Sequence, residues 1–298
     1  MDKNSLKFIT EIASTHNGNF KILEQIFKKH IKSKSDLIKI QIINAQNIYP
    51  KTSQKYLRFK TLEIQKKILK KIIEKYMKKT RIILEIFDED SFNFAKKFKE
   101  NVYLKVSCSE ADNLQIINDS IKCFKKIFIN FSGFELNEIR FILNKIKNKK
   151  KIIIIYGFQG YPSKINNLRF KLFDFFKSQD LVYGYADHSL YNNFFELCYS
   201  TLIAIRKGCR YIEKHVCLDQ NKKPPDYISA LEFDKFNQYI TSTKEIYNKR
   251  LNNTFNMSKD EKTYKKNMRK FLFINKLGEK KFLRTEKISK KTRLNYYK

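Results

Sequence analysis

GYADHS at residues 184–189 and YIEKHVCLD at 211–219 decide how this chain folds. Each places a histidine just past a short, apolar, β-prone run. His188 and His215 stand 27 residues apart, with a helical pattern between them. That is the spacing of two neighbouring parallel strands joined by one crossover helix. Both imidazoles would then emerge at the same end of a sheet, close enough to share a divalent metal. The chain has only four histidines, so two in matched positions carry weight.

Working outward, the same kind of β-like run recurs: KFITEI (7–12), LIKIQII (37–43), RIILEIF (81–87), VYLKVS (102–107), KIFINF (126–131), KIIIIYG (151–157), LVYGYA (181–186) and RYIEKHV (210–216). Between them lie stretches such as LEQIFKKHI, IQKKILKKIIEKYM and LNEIRFILNKI, with apolar residues at helical spacing. Eight such units without a long structureless gap predict a (β/α)8 TIM barrel over residues 1–250. An open doubly wound sheet is the alternative, but the chain has no GxGxxG or Walker loop.

Barrel chemistry sits at the C-terminal ends of the strands. Polar residues fall there: Glu11 and His16 around the first run, Lys39 and Gln41 in the second, Glu85 in the third and Lys105 in the fourth. Gln159 and Tyr161 follow the sixth, Asp187 and His188 the seventh, and Glu213, Lys214 and His215 lie in the eighth. A lysine inside LIKIQII is rarely an unpaired surface group, because β-core runs seldom host one. Glu213 and Lys214 read equally well as a buried ion pair or as support for the metal ligands. His16 and Asn17 precede Gly18 in a turn and read as loop-shaping. Cys108 reads as a small buried residue, and His30, in KKHIKSK, as a surface residue.

The five cysteines are odd in number and include no CxxC pair, so neither a disulfide frame nor a zinc knuckle is expected and a reducing cytoplasm is the simpler setting. No signal-peptide core or membrane-spanning run is visible. The formal net charge of +32 invites a nucleic-acid reading. The lysines are spread over helix faces instead of forming one patch with interleaved aromatics, so a solvated coat that attracts anionic small molecules is preferred. Residues 251–298 hold 15 Lys and Arg against 4 Asp and Glu, and read as a basic tail with one helix and a short hairpin.

Taken together, EIASTHNG (11–18), IKIQ (38–41), FDEDS (87–91), LKVSCSEADN (104–113), GFQGYPS (157–163), GYADHS, IEKHVCLD (212–219) and PPDYISAL (224–231) resemble the N-acetylneuraminate (sialic acid) synthase family, which includes legionaminate and pseudaminate synthases. The resemblance implies a cytoplasmic transferase. It would condense phosphoenolpyruvate with an N-acylmannosamine-type sugar, releasing phosphate and leaving a nine-carbon 2-keto acid. It implies His188 and His215 as ligands of a divalent metal, manganese with magnesium or cobalt as alternatives, that meets the charge developing on the aldehyde oxygen. Glu11 matches the catalytic glutamate. Lys39 and Lys105 match lysines, also assigned to catalysis, that bind the phosphate and carboxylate of phosphoenolpyruvate. Gln159 matches an amide on the same ligand, Tyr161 a tyrosine near the sugar, and Asp226 an aspartate that binds sugar hydroxyls. A homodimer is also implied.

Three positions depart from the family pattern: Ala186, Cys108 and Glu85 stand where hydroxyl residues are usual. Segment 267–293 resembles only the beginning of the family's C-terminal antifreeze-like domain, which is expected to be truncated or missing. These departures leave a second reading, a diverged barrel that binds without turning over.

Overall fold

Period-two alternation builds this barrel. The structure, a computed structural model, describes residues 5–248, 256–268, 270–274 and 277–284. The strands are β1 (Lys7–Glu11), β2 (Leu37–Gln41), β3 (Arg81–Ile86), β4 (Val102–Val106), β5 (Ile127–Asn130), β6 (Ile152–Tyr156), β7 (Val182–Asp187) and β8 (Tyr211–Cys217). Each pairs in parallel with the next, and β1 pairs in parallel with β8 from Lys7↔Tyr211 to Glu11↔His215. That last pairing closes the sheet, so the fold is the expected (β/α)8 barrel and the open doubly wound alternative is excluded. A short β9 (Leu231–Glu232) adds to β8 ahead of the final barrel helix, Phe233–Asn248.

Successive side chains of a strand face opposite sides. One set (Phe8, Ile38, Ile82, Leu84, Leu104, Ile154, Ile212) packs outward under the helices, and each such fully buried side chain contributes about 1.5–3 kcal/mol. The other set (Ile9, Leu37, Ile83, Tyr103, Phe128, Ile153, Tyr211) fills the barrel interior. Phe128 and Tyr211 meet edge to face with centroids 5.2 Å apart. This apolar plug forms the floor on which the site rests.

The helices are amphipathic in the expected way. Helix Phe20–Ile31 is capped by the Asn19 side chain, which accepts from the Lys21 and Ile22 amides, and it buries Leu23, Ile26, Phe27 and His30. His30 is therefore not the surface residue its lysine-rich flanks suggested. Positions 23, 26, 27 and 30 share one helix face, and the ring lies 2.8 Å from Thr10 Oγ1 and 2.9 Å from Thr80 Oγ1. Two helices not foreseen, Ala45–Ile48 and Gln54–Leu62, occupy the connection after β2.

The chain divides into two compact units, Met1–Asn248 and Lys249–Lys298. In the second, helix Lys259–Met268 begins in a reciprocal cap: the Ser258 amide donates to Glu261 Oε2 (2.7 Å) and the Glu261 amide to Ser258 Oγ (3.1 Å). A hairpin of β10 (Lys270–Ile274) and β11 (Lys280–Arg284) follows it. The part of segment 267–293 beyond residue 284 lies outside the described residues. Among the described residues, no helix is long and apolar enough to cross a membrane.

Candidate active site

One inward step beyond the apolar floor, the barrel interior turns from hydrocarbon to charge. Ile9 is followed on its face by Glu11, Leu37 by Lys39 and Gln41, Ile83 by Glu85, Tyr103 by Lys105, Phe128 by Asn130, and Tyr211 by Glu213 and His215. The parallel register sets Glu11 beside Lys39, Gln41 beside Glu85, Glu85 beside Lys105, and Glu11 beside His215. The strands thus deliver a ring of ionisable groups at the C-terminal end.

Within that ring two ammoniums meet three carboxylates. Lys39 Nζ lies 2.6 Å from Glu85 Oε2 and 3.2 Å from Glu213 Oε1, and is in direct contact with Glu11. Lys105 Nζ lies 2.7 and 3.0 Å from the two Glu213 oxygens and 3.4 Å from Glu85 Oε1. All five side chains are at most 4 % exposed. Burial is the largest influence on Lys39 and lowers its pKa despite the pull of Glu213 and Glu85. For Lys105 burial is again the largest single influence, but Glu213 and Glu85 outweigh it and the pKa rises. Burial works to raise Glu213, yet Lys105 and Lys39 hold it at about 2. The same balance keeps Glu85 below the ordinary carboxylate range. Glu85 and Glu213 are therefore carboxylates at neutral pH, because the lysine charges outweigh the cost of burying them.

The histidines stand beside this cluster. The His188 and His215 rings have centroids 5.1 Å apart, and Tyr161 meets both edge-on at 5.0 and 5.7 Å. Burial lowers His188 to about 4 and holds His215 well below the usual histidine range. Both rings are neutral at pH 7, so each has a nitrogen lone pair available. The Nδ1 atom of each is buried without a hydrogen-bond partner. Two neighbouring neutral imidazoles, each with an unpartnered nitrogen, are of the chemistry that suits a divalent cation. Among the described residues no group of three or more His, Cys, Asp or Glu side chains is gathered to hold a metal.

His188 is fixed from behind the barrel wall. Asp187 and Lys214 point outward, beneath helix Phe194–Arg206, and form a fully buried ion pair at 2.6 Å. Asp187 also accepts from the Ser189 amide (2.9 Å), Ser189 Oγ (3.1 Å) and Ser200 Oγ (2.9 Å). Lys214 donates to the Ser189 carbonyl at 3.0 Å. The His188 carbonyl accepts from the Ser163 amide (2.9 Å) and Ser229 Oγ (2.8 Å). Residues on both sides of the histidine are thus tied down. Of the two neighbours in the EKH run, Lys214 serves this buttress outside the wall and Glu213 serves the lysines within it.

The loops above complete a mouth. Glu11 Oε1 accepts from the Ala13 amide at 2.5 Å, which orients the carboxylate. His16 is buried and accepts from the Gly18 amide at 3.0 Å; burial lowers its pKa to about 4, in keeping with a loop-shaping role. Gly18 has φ +69°, and a Cβ there would lie 2.0 Å from the Thr61 carbonyl oxygen, so this turn needs glycine. Asp226 accepts from the Ser14 amide at 3.2 Å, which joins the loops after β8 and β1. Burial raises the Asp226 pKa. A cavity of about 590 Å³ opens between Tyr161, Asp226 and Asn17, lined also by Arg58, Lys222 and Lys223. Lys39 and Lys105 do not line it; they are buried. Gln159 is exposed, and its Oε1 accepts from the Cys108 thiol at 3.1 Å. Cys108 is only partly buried, since it sits in the turn after β4 instead of in the core. All five cysteines are free.

The strands bring Glu11, Lys39, Lys105, His188 and His215 together, while Tyr161, Asp226 and Gln159 lie on loops at the mouth. Sequence reasoning missed Arg58, Lys222 and Lys223. Nothing in their local pattern separates them from the many other basic residues of the chain.

The NeuB family's sequence profile matches residues 26–254. The N,N'-diacetyllegionaminic acid synthase of Campylobacter jejuni subsp. jejuni serotype O:2 is 26% identical over 259 residues, covering 80% of this chain and 75% of that protein. The pseudaminic acid synthase of Campylobacter jejuni subsp. jejuni serotype O:23/36 is 23% identical over 256 residues, covering 80% of this chain and 72% of its own. The crystal structure of N-acetylneuraminic acid (sialic acid) synthetase from Leptospira borgpetersenii serovar Hardjo-bovis superposes with a TM-score of 0.74 at 21% identity, covering 89% of this chain and 93% of that one. At that identity the superposition speaks for the barrel fold.

Proposed function

The chain belongs to the NeuB family, which includes legionaminic and pseudaminic acid synthases, and from that premise we propose that it condenses phosphoenolpyruvate with an N-acylmannosamine-type sugar to give a nine-carbon 2-keto sugar acid and phosphate. The observation that carries the proposal is the pair of buried lysines, Lys39 and Lys105, beside two unpartnered imidazoles at the C-terminal end of the barrel. Fixed cationic charge and a neutral ligand pair are both of use where an anionic enol donor meets an aldehyde.

In this reading Lys39 and Lys105 receive the phosphate and carboxylate of the donor, each ammonium lowering the cost of burying the anion. Glu11, held by the Ala13 amide, orients water or carries a proton at the acceptor end. Gln159 contributes an amide to the donor. Asp226 accepts from sugar hydroxyls, and Tyr161 bounds the space the sugar occupies. His188 and His215 would hold a divalent cation, manganese with magnesium or cobalt as alternatives; when bound it supplies Lewis acidity to the acceptor carbonyl. The new carbon–carbon bond joins the enol carbon to the aldehyde carbon, water adds to the donor's second carbon, and the carbon–oxygen bond to phosphate breaks.

The test is incubation of the full chain with phosphoenolpyruvate, manganese and a panel of N-acylmannosamine-type sugars, read by phosphate release. Release with at least one sugar is expected. His188→Ala should abolish it while leaving the metal-free melting temperature nearly unchanged. No release with any sugar, from protein that binds phosphoenolpyruvate, would count against the proposal.

A further inference from the structure

The two lysines read here as donor-binding already hold an anion. Glu85 places one oxygen 2.6 Å from Lys39 Nζ and the other 3.4 Å from Lys105 Nζ. Its carboxylate therefore spans both ammoniums, as two oxygens of a phosphate would. We infer that Glu85 is a built-in competitor for the donor's anionic group and sets this chain's affinity for phosphorylated acids. The inference rests on the reading of Lys39 and Lys105 as donor-binding residues.

Three carboxylates share these lysines, and Glu85 is the one placed to yield. Glu213 grips Lys105 with both oxygens and lies one inward step below His215 on β8, deeper in the barrel. Glu11 is tied through its other oxygen to the Ala13 amide. Glu85 is the last-but-one residue of β3, and its further partner is Gln41 Nε2 at 3.1 Å. Gln41 ends β2 and is only half-buried. Glu85 thus sits on the mouth side, with a partner that leads away from the lysines. Its charge also reaches Cys108, the partner of Gln159: after burial, Glu85 is the next cause of the raised Cys108 pKa.

Charge count gives the consequence. Three carboxyl groups, those of Glu11, Glu85 and Glu213, already crowd the two lysines, so neither ammonium is left without an acidic partner. An incoming phosphate meets repulsion at short range in a low-dielectric interior, where such terms are strong. It gains the lysines only by displacing Glu85. Neutralising that one side chain leaves two ammoniums against two carboxylates and vacates the anion's place.

Calorimetric titration of the full chain with orthophosphate and with phosphoenolpyruvate tests this. Glu85→Gln keeps the length and the contact with Gln41. Glu85→Thr is a smaller neutral replacement suited to a strand, so folding of either variant, checked by circular dichroism, suffices. Kd should fall by roughly tenfold or more for both anions. A Kd equal to or higher than that of the wild type in a folded variant overturns the inference. Lys39→Met and Lys105→Met are titrated in parallel. If they leave the wild-type affinity unchanged, the donor-site reading itself fails. If they abolish binding while the Glu85 variants gain nothing, only the competitor role fails.

Discussion

Replacing Lys214 by methionine probes the buttress behind His188. The substitution leaves Asp187 ionised and fully buried beneath helix Phe194–Arg206. Removing one partner of a buried pair costs about 3–5 kcal/mol, because the remaining charge is uncompensated. Asp187 keeps the Ser189 amide, Ser189 Oγ and Ser200 Oγ as donors. Hydrogen bonds to charged groups are worth about 1.5–3 kcal/mol each, so the loss should fall near the lower end, about 3 kcal/mol. For a barrel of this size that is roughly 6–12 °C in Tm. The assay is thermal melting followed by circular dichroism at neutral pH, with urea midpoints alongside. A Lys214→Met/Asp187→Leu double variant removes the stranded charge and should recover at least about 1 kcal/mol over the single variant. A single-variant loss below about 1 kcal/mol, or a double variant no more stable than the single, would refute the account of an essential internal charge match.

Gly18→Ala should cost at least about 2 kcal/mol in a urea titration, since the new methyl meets the Thr61 carbonyl at 2.0 Å and the backbone stays left-handed; a loss under about 0.5 kcal/mol would contradict the turn geometry. Burial depresses His30 to about 4, so the unfolded chain takes its proton first as pH falls. Its contribution is complete above the unfolded pKa of about 6.5 and is lost on acidification toward about 4. Between about pH 7 and pH 4.5 the wild type should therefore lose about 2–3 kcal/mol that His30→Gln does not lose, read from urea midpoints at the two pH values. Lys39→Met should weaken phosphoenolpyruvate binding by about 2–4 kcal/mol in calorimetry, and a loss below about tenfold would mark this lysine as peripheral.

Much of the site could be read along the chain because strand periodicity is local. A lysine two residues beyond Leu37 or Tyr103 must share that residue's face, so LIKIQ and VYLKV announce inward charges before any contact is known. His30 was equally legible, since Leu23, Ile26, Phe27 and His30 repeat at helical spacing, but the surrounding lysines masked the stripe. The mouth residues Arg58, Lys222 and Lys223 were not legible, because their only distinction is where two loops end.

By itself the sequence determined the eight strands, the inward face of charges such as Lys39 and Lys105, and the shared end of the barrel on which the site residues emerge, all consequences of short-range alternation. Tertiary structure alone decided the pairings. Closure of β1 on β8 brings Glu213 within reach of lysines on β2 and β4, far away in sequence. The β7–β8 register sets Lys214, the next residue, beside Asp187 on the outer face of the barrel. Which carboxylate neutralises which ammonium depends on distances across a closed ring. No periodicity along one strand encodes those distances, and for that reason the occupancy of Lys39 and Lys105 by Glu85 appears only in the folded molecule.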